Sequence, residues 1–166
     1  MTARSIRALT PEHDLAAIIA FYEAAPDYFL MADGEAPGPA KAREFFTDVP
    51  PGCDPAATHH LGLFLEDRLS GLAELSFGFP EPGDAFLGLM LLGPWARGAG
   101  HGRAFLAEVE ARARATRSPA LSLAVLKANP RGRAFWEREG FTATGHTGSY
   151  TAGGVTHHLA RMSKPL

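Results

Sequence analysis

The sequence predicts an α/β chain built on a mixed seven-stranded sheet with helices on both faces. Three observations predict it. Two strand-like runs, residues 60–66 and 69–77, follow each other with room only for a tight turn. Residues 85–92 are almost wholly apolar, as in a central strand buried on both faces. Segments with apolar residues at helical spacing lie before and after these strands.

Residues 5–9 read as the first strand. Thr10-Pro11-Glu12 starts a helix, with threonine as N-cap and proline in the first turn. Leu15, Ile18, Ile19 and Tyr22 form its buried face. Pro26 ends it. Residues 27–38 mix aromatics, acids and glycine and read as a loop. A second helix starts at Pro39 and is expected to bury Phe45 and Phe46. Residues 48–58 are a Pro/Gly-rich connection. The first hairpin turns at Asp67-Arg68, and residues 79–83 make another turn. After the apolar strand 85–92 comes a glycine-rich loop, then a helix over about 102–117 that Ser118-Pro119 breaks. Residues 121–126 are an apolar strand. Asn129-Pro130 opens the last helix, which stops at Gly140. Strands over 141–147 and 155–163 close the chain around Ala152-Gly153-Gly154. The order is β-α-α-β-β-β-α-β-α-β-β. No linker or repeat divides the 166 residues, so one domain is expected.

A net charge of -2 offers no general attraction to nucleic acid or to an anionic membrane. No apolar run approaches the ~20 residues of a membrane span, and the first nine residues lack a signal-peptide core. The single cysteine, Cys53, excludes an intrachain disulfide and fits a reducing compartment. A cytoplasmic protein without nucleic-acid or membrane partners is expected. Neighbours on a strand point to opposite faces, so the pairs His59-His60 and His157-His158 do not chelate one ion, and no metal is expected.

The informative stretch is Leu91-Leu92-Gly93-Pro94-Trp95-Ala96-Arg97-Gly98-Ala99-Gly100-His101-Gly102-Arg103. A strand runs into three alternate glycines, and a helix follows. Glycine lets backbone amides close on an anion, and the helix N-terminus adds free N–H groups. Arg97 and Arg103 flank the loop, which suits a pyrophosphate. A P-loop would need a Lys-Ser or Lys-Thr that is missing here. A dinucleotide fingerprint would need glycine where Arg103 stands.

The stretch resembles the coenzyme motif of the GNAT superfamily of acyl-CoA N-acyltransferases, Arg/Gln-x-x-Gly-x-Gly/Ala, with Arg97, Gly100 and Gly102 in its places. Residues 129–141, from Asn129 through Phe135-Trp136 to Gly140-Phe141, resemble that family's later segment. The resemblance covers essentially the whole chain and implies a mostly antiparallel sheet and acetyl-CoA as co-substrate. It implies that the strand before the loop splays from residues 121–126 near a bulge. Leu91 and Leu92 would then meet the pantetheine arm and the thioester. Gly98, Ala99, Gly100, His101 and Gly102 would hold the pyrophosphate through their amides, with Arg103 beside them. Asn129, Phe135 and Trp136 would contact the coenzyme, Asn129 serving equally as an N-cap.

The implied activity is acetyl transfer to a primary amine by direct attack. Many relatives carry a tyrosine as general acid where this chain has Trp136, and an indole is no acid at neutral pH. Tyr150 is the candidate substitute. Glu74, a carboxylate in the apolar run Leu72-Ala73-Glu74-Leu75, is the candidate base, with Asp84 and His101 as further candidates. On the acceptor side stand Tyr28, Phe29, Asp33 and Glu35, aromatics and acids that suit a small cationic amine. A homodimer is a candidate assembly. The alternative function is an acyl-CoA-binding sensor or partner module with impaired catalysis, which Trp136 suggests.

Overall fold

The computed structural model describes residues 2–166. Strand β1 (Arg4–Ala8) is followed by α1 (Pro11–Ala24), α2 (Asp27–Asp33) and α3 (Pro39–Glu44). Then come β2 (His59–Leu65), β3 (Arg68–Phe77) and β4 (Ala85–Leu92). Helix α4 (His101–Ala115), β5 (Ala120–Leu126), α5 (Pro130–Arg138), β6 (Thr142–Ala152) and β7 (Val155–Pro165) complete the chain. One seven-stranded sheet runs in the order β1-β2-β3-β4-β5-β7-β6. Every neighbouring pair is antiparallel except β4 with β5.

Two apolar layers cover the sheet. Ile18, Phe21 and Tyr22 of α1 pack with Phe29, Phe45 and Leu72 on one face. Phe105, Leu106 and Val109 of α4 pack with Leu61, Leu75 and Leu121 on the other. Asp14 holds the start of α1: it accepts the Thr10 amide at 2.8 Å and pairs with Arg7 at 2.9 Å. Thr10 is the N-cap residue, but its side chain takes no helix amide: its Oγ1 lies 3.1 Å from His13 Nδ1 instead.

Four expectations need correction. Residues 27–38 are not all loop. Asp27–Asp33 is helical, with Phe29 and Ala32 buried one turn apart, and Gly34 closes it in the left-handed region at φ 78°. The helix from Pro39 ends at Glu44, one residue before the buried Phe45. The first hairpin turns on Glu66-Asp67, both at positive φ, so Arg68 already belongs to β3. Strand β4 is not buried on both faces along its length. Only Ala85, Phe86 and Leu87 are buried, and Gly88 is exposed.

The last correction reflects how β4 is paired. It meets β5 only at Ala85↔Leu121 and Phe86↔Ser122. Its remaining residues stay with β3 as far as Gly71↔Leu92. A bulge between Glu74 and Leu75 leaves Gly88 unpaired there and turns the strand away. The C-terminal half of β4 therefore borders a cleft instead of a strand.

Gly34→Ala keeps the space around the site, where the nearest atom to an added Cβ is 3.5 Å away, but forces alanine to a positive φ. It is expected to lower stability in urea unfolding by about 1 kcal/mol.

Candidate active site

The parting of β4 from β5 leaves β4 backbone groups without a strand partner on that side. Beyond its end, Pro94–Ala96 forms a short 3-10 turn that carries Trp95. The Trp95 indole N–H donates to Ser70 Oγ at 2.9 Å, and Arg68 lies over its ring at 3.5 Å. Its edge meets Phe21. A side chain at Gly93 would collide with this ring. Trp95 thus fixes the entry to the glycine loop, a role the sequence reading missed.

Gly98 and Gly100 sit at φ 77° and 82°, and open space surrounds both. Amides 98–103 find no acceptor among the described residues. The first amides of α4 are free in any case, because a helix start has no carbonyls behind it. Gly102 is buried against Leu92 and Phe135, which lets α5 pack beside the loop. These open amides at a helix start fit a pyrophosphate. The His101 ring turns aside toward Arg4, at 3.3 Å, and Arg103 extends into solvent toward Glu139.

Arg97 is already engaged within the protein. Its Nε and Nη2 donate to the Leu92 carbonyl at 3.2 and 2.9 Å, and its Nη1 donates to Asp27 at 2.7 Å. Arg97 holds the Asp27 carboxyl below the usual carboxylate range. The Leu92 carbonyl, expected to face the coenzyme, is therefore occupied by Arg97. Asn129 caps α5 by accepting the Gly132 amide at 3.0 Å, which leaves its side-chain N–H groups free. Phe135 and Trp136 stack edge to face, and Trp136 meets Phe141 in the same way. Trp136 is an apolar wedge under α5.

Glu74 is 7% exposed and stands on the α1–α3 side of β3, opposite Leu89. Its carboxyl lies over Gly88, where a Cβ would collide with it. Ser76 Oγ donates to it at 2.5 Å, and Thr58 Oγ1 is 3.2 Å from Ser76. Burial, with a contribution from Asp48, pushes the carboxyl up to about 7 against the Ser76 bond. A lone acid in an apolar strand was a visible signal. Gly88, Ser76 and Thr58 carried none.

The other expected residues separate into different surroundings. Tyr28 is half-buried and pushed up to about 12, mainly by burial. Phe29 lies in the core instead of at an acceptor surface, 4.7 Å from Tyr22. Asp33 pairs with Lys41 at 3.1 Å, and the two line a groove of 430 Å³ with Glu35, Glu44 and Gly153. Tyr150 donates to the Ala32 carbonyl at 2.9 Å and stacks on His157. A second groove of 710 Å³ lies between α5 and the β6–β7 hairpin, lined by Lys127, Arg133 and His158 among others. His59 packs on Phe77 and His60 on Phe45 and Phe46, each with an aromatic instead of with the other.

The charge is divided between the two sides. Residues 9–58, which supply the helices over one face, carry nine acids and two Lys or Arg. Residues 93–140, which supply the loop and the helices of the other face, carry nine Lys or Arg and four acids. A near-neutral chain thus offers a basic and an acidic side.

The model of the acetyltransferase (GNAT) family matches residues 11–141. Among solved structures, an acetyltransferase from Thermus thermophilus is similar at 27% identity and a TM-score of 0.74, over 99% of this chain and 97% of that one. A ribosomal-protein-alanine N-acetyltransferase from Brucella melitensis is similar at 23% identity and a TM-score of 0.74, over 98% and 99%. A paia N-acetyltransferase from Thermoplasma acidophilum in complex with coenzyme A is similar at 19% identity and a TM-score of 0.69, over 99% of each chain. The last two likenesses speak for the fold alone. The comparison with curated protein sequences gives no match.

Two outcomes follow from this geometry. Folded, Glu74 binds its proton more tightly than when unfolded, where its value is near 4.5. Wild-type stability from this group is full below about pH 4.5 and lost as pH rises to about 7. Glu74→Gln keeps an acceptor for Ser76 and carries no charge. In urea unfolding it should match wild type near pH 4 and exceed it by about 3 kcal/mol at pH 8. Gly100→Glu forces a side chain to positive φ and aims a negative charge at the free amides. Calorimetry should find coenzyme A binding lost in the folded variant.

Proposed function

The chain belongs to the GNAT family of acetyltransferases, which transfer acetyl groups from acyl-CoA donors, and we propose that it moves the acetyl group of acetyl-CoA to a primary amine by direct attack. The observation that carries this reading is Glu74: a buried carboxyl poised near neutrality where β4 parts from β5. A base is most effective when its proton affinity lies near the working pH.

The free amides of the glycine loop would bind the pyrophosphate, and the open edge of β4 would take the pantetheine arm. Glu74 accepts a proton from the ammonium of the acceptor. The neutral nitrogen attacks the thioester carbon and the C–N bond forms; the C–S bond then breaks and the nitrogen gives its second proton to solvent, leaving a neutral amide. The thiolate takes its proton from solvent, because Trp136 has no acidic proton and the Tyr150 O–H is committed to Ala32.

The acidic α1–α3 side supports a cationic acceptor, and the basic α4–α5 side supports an anionic donor. Tyr28, Asp33 and Glu35 remain the proposed acceptor contacts. Trp136 favours the alternative, a binding module without turnover.

The deciding measurement is thiol release from acetyl-CoA with a panel of primary amines. In a productive pair, kcat/KM should rise with pH through an apparent value of about 7. Glu74→Gln should lose that limb and about 10²–10⁴-fold of the rate. Binding of coenzyme A without thiol release for any amine would leave only the binding module.

A further inference from the structure

Helix α2 has seven residues, too few to hold itself in water. Its inner side is anchored by Phe29 and Ala32. Each end is tied to a different part of the molecule. At the first residue, Asp27 meets Arg97 of the glycine loop at 2.7 Å. At the far end, Tyr150 of β6 donates to the Ala32 carbonyl, and Gly153 of the β6–β7 turn lies close against the Asp33 carbonyl.

Arg97 is the joint. Two of its nitrogens hold the Leu92 carbonyl at the end of β4, and a third holds Asp27, across 70 positions of the chain. A guanidinium has five N–H groups, so two remain for a phosphate oxygen without releasing either partner. An exposed ion pair alone is worth little. Here the guanidinium is already fixed by the carbonyl, so the Asp27 bond orders less than a free arginine would require.

We propose that Arg97 and Asp27 make α2 a strut between the donor and acceptor sides, so that a coenzyme on the glycine loop stiffens α2 and the acceptor surface it carries. Arg97 and Asp27 are positioning residues in this scheme. Acceptor binding is then stronger with the coenzyme in place, and the reverse holds equally. The inference rests on the coenzyme reading of the loop.

Amide hydrogen exchange with coenzyme A as the probe tests it without knowledge of the amine. In wild type, coenzyme A should slow exchange both over residues 98–104 and over residues 27–34, the latter about fivefold or more. Asp27→Asn, checked for folding by its melting curve, should keep the first effect and lose the second. Asp27→Glu should restore it. Unchanged exchange of α2 in wild type, or full slowing of α2 in Asp27→Asn, overturns the strut. Absence of any effect over residues 98–104 overturns the coenzyme reading itself, and the strut falls with it.

Discussion

Strand β4 shares only two residue pairs with β5, and the active-site arrangement follows from that short contact. Unpaired backbone in a half-buried strand is costly, about 1–3 kcal/mol for each group left without a partner. The parting persists because other contacts hold β4 in place. Pairing with β3 continues to the end of the strand, with Gly71 opposite Leu92. Arg97 takes the terminal carbonyl. Trp95, wedged between Arg68, Ser70 and Phe21, keeps the chain from folding back. The open edge is a consequence of good packing around it.

The bulge links this opening to Glu74. One extra residue on β4 must be accommodated, and glycine at 88 provides the room that the Glu74 carboxyl occupies. The irregularity that bends the strand therefore also makes space for the acid. Ser76 and Thr58 extend the polar contact inward, so the carboxyl is hydrogen-bonded although little exposed to water.

Sequence reading located what is local. The alternate glycines, the free helix start after them and the Asn129 cap are properties of adjacent residues, and each was visible. Glu74 stood out because a carboxylate interrupts an apolar strand. Helix α2 was missed because its short period, Phe29 to Ala32, sits among acids and is completed by Gly34 and by contacts with a distant hairpin. The partners of Arg97 were invisible for a similar reason: Asp27 lies 70 positions away, and the pair exists only once α1 has turned the chain back across the sheet. The exposure of β4 was misjudged because apolar composition reports what could be buried, whereas the cleft depends on which strand lies alongside.

Stability and chemistry pull on Glu74 in opposite directions. The fold favours the protonated acid, and the proposed reaction needs the carboxylate. A fully exposed acid would remove the conflict but would be too weak a base near neutral pH. A fully apolar pocket would hold the proton too tightly to be useful. The Ser76 hydroxyl moderates the effect of burial by donating to the charged form. The compromise near neutrality thus arises from opposed causes, burial under the α1–α3 layer with a contribution from Asp48 on one side and one hydrogen bond along β3 on the other. That is why the acid sits in the sheet, where both can be held in register, instead of on a mobile loop.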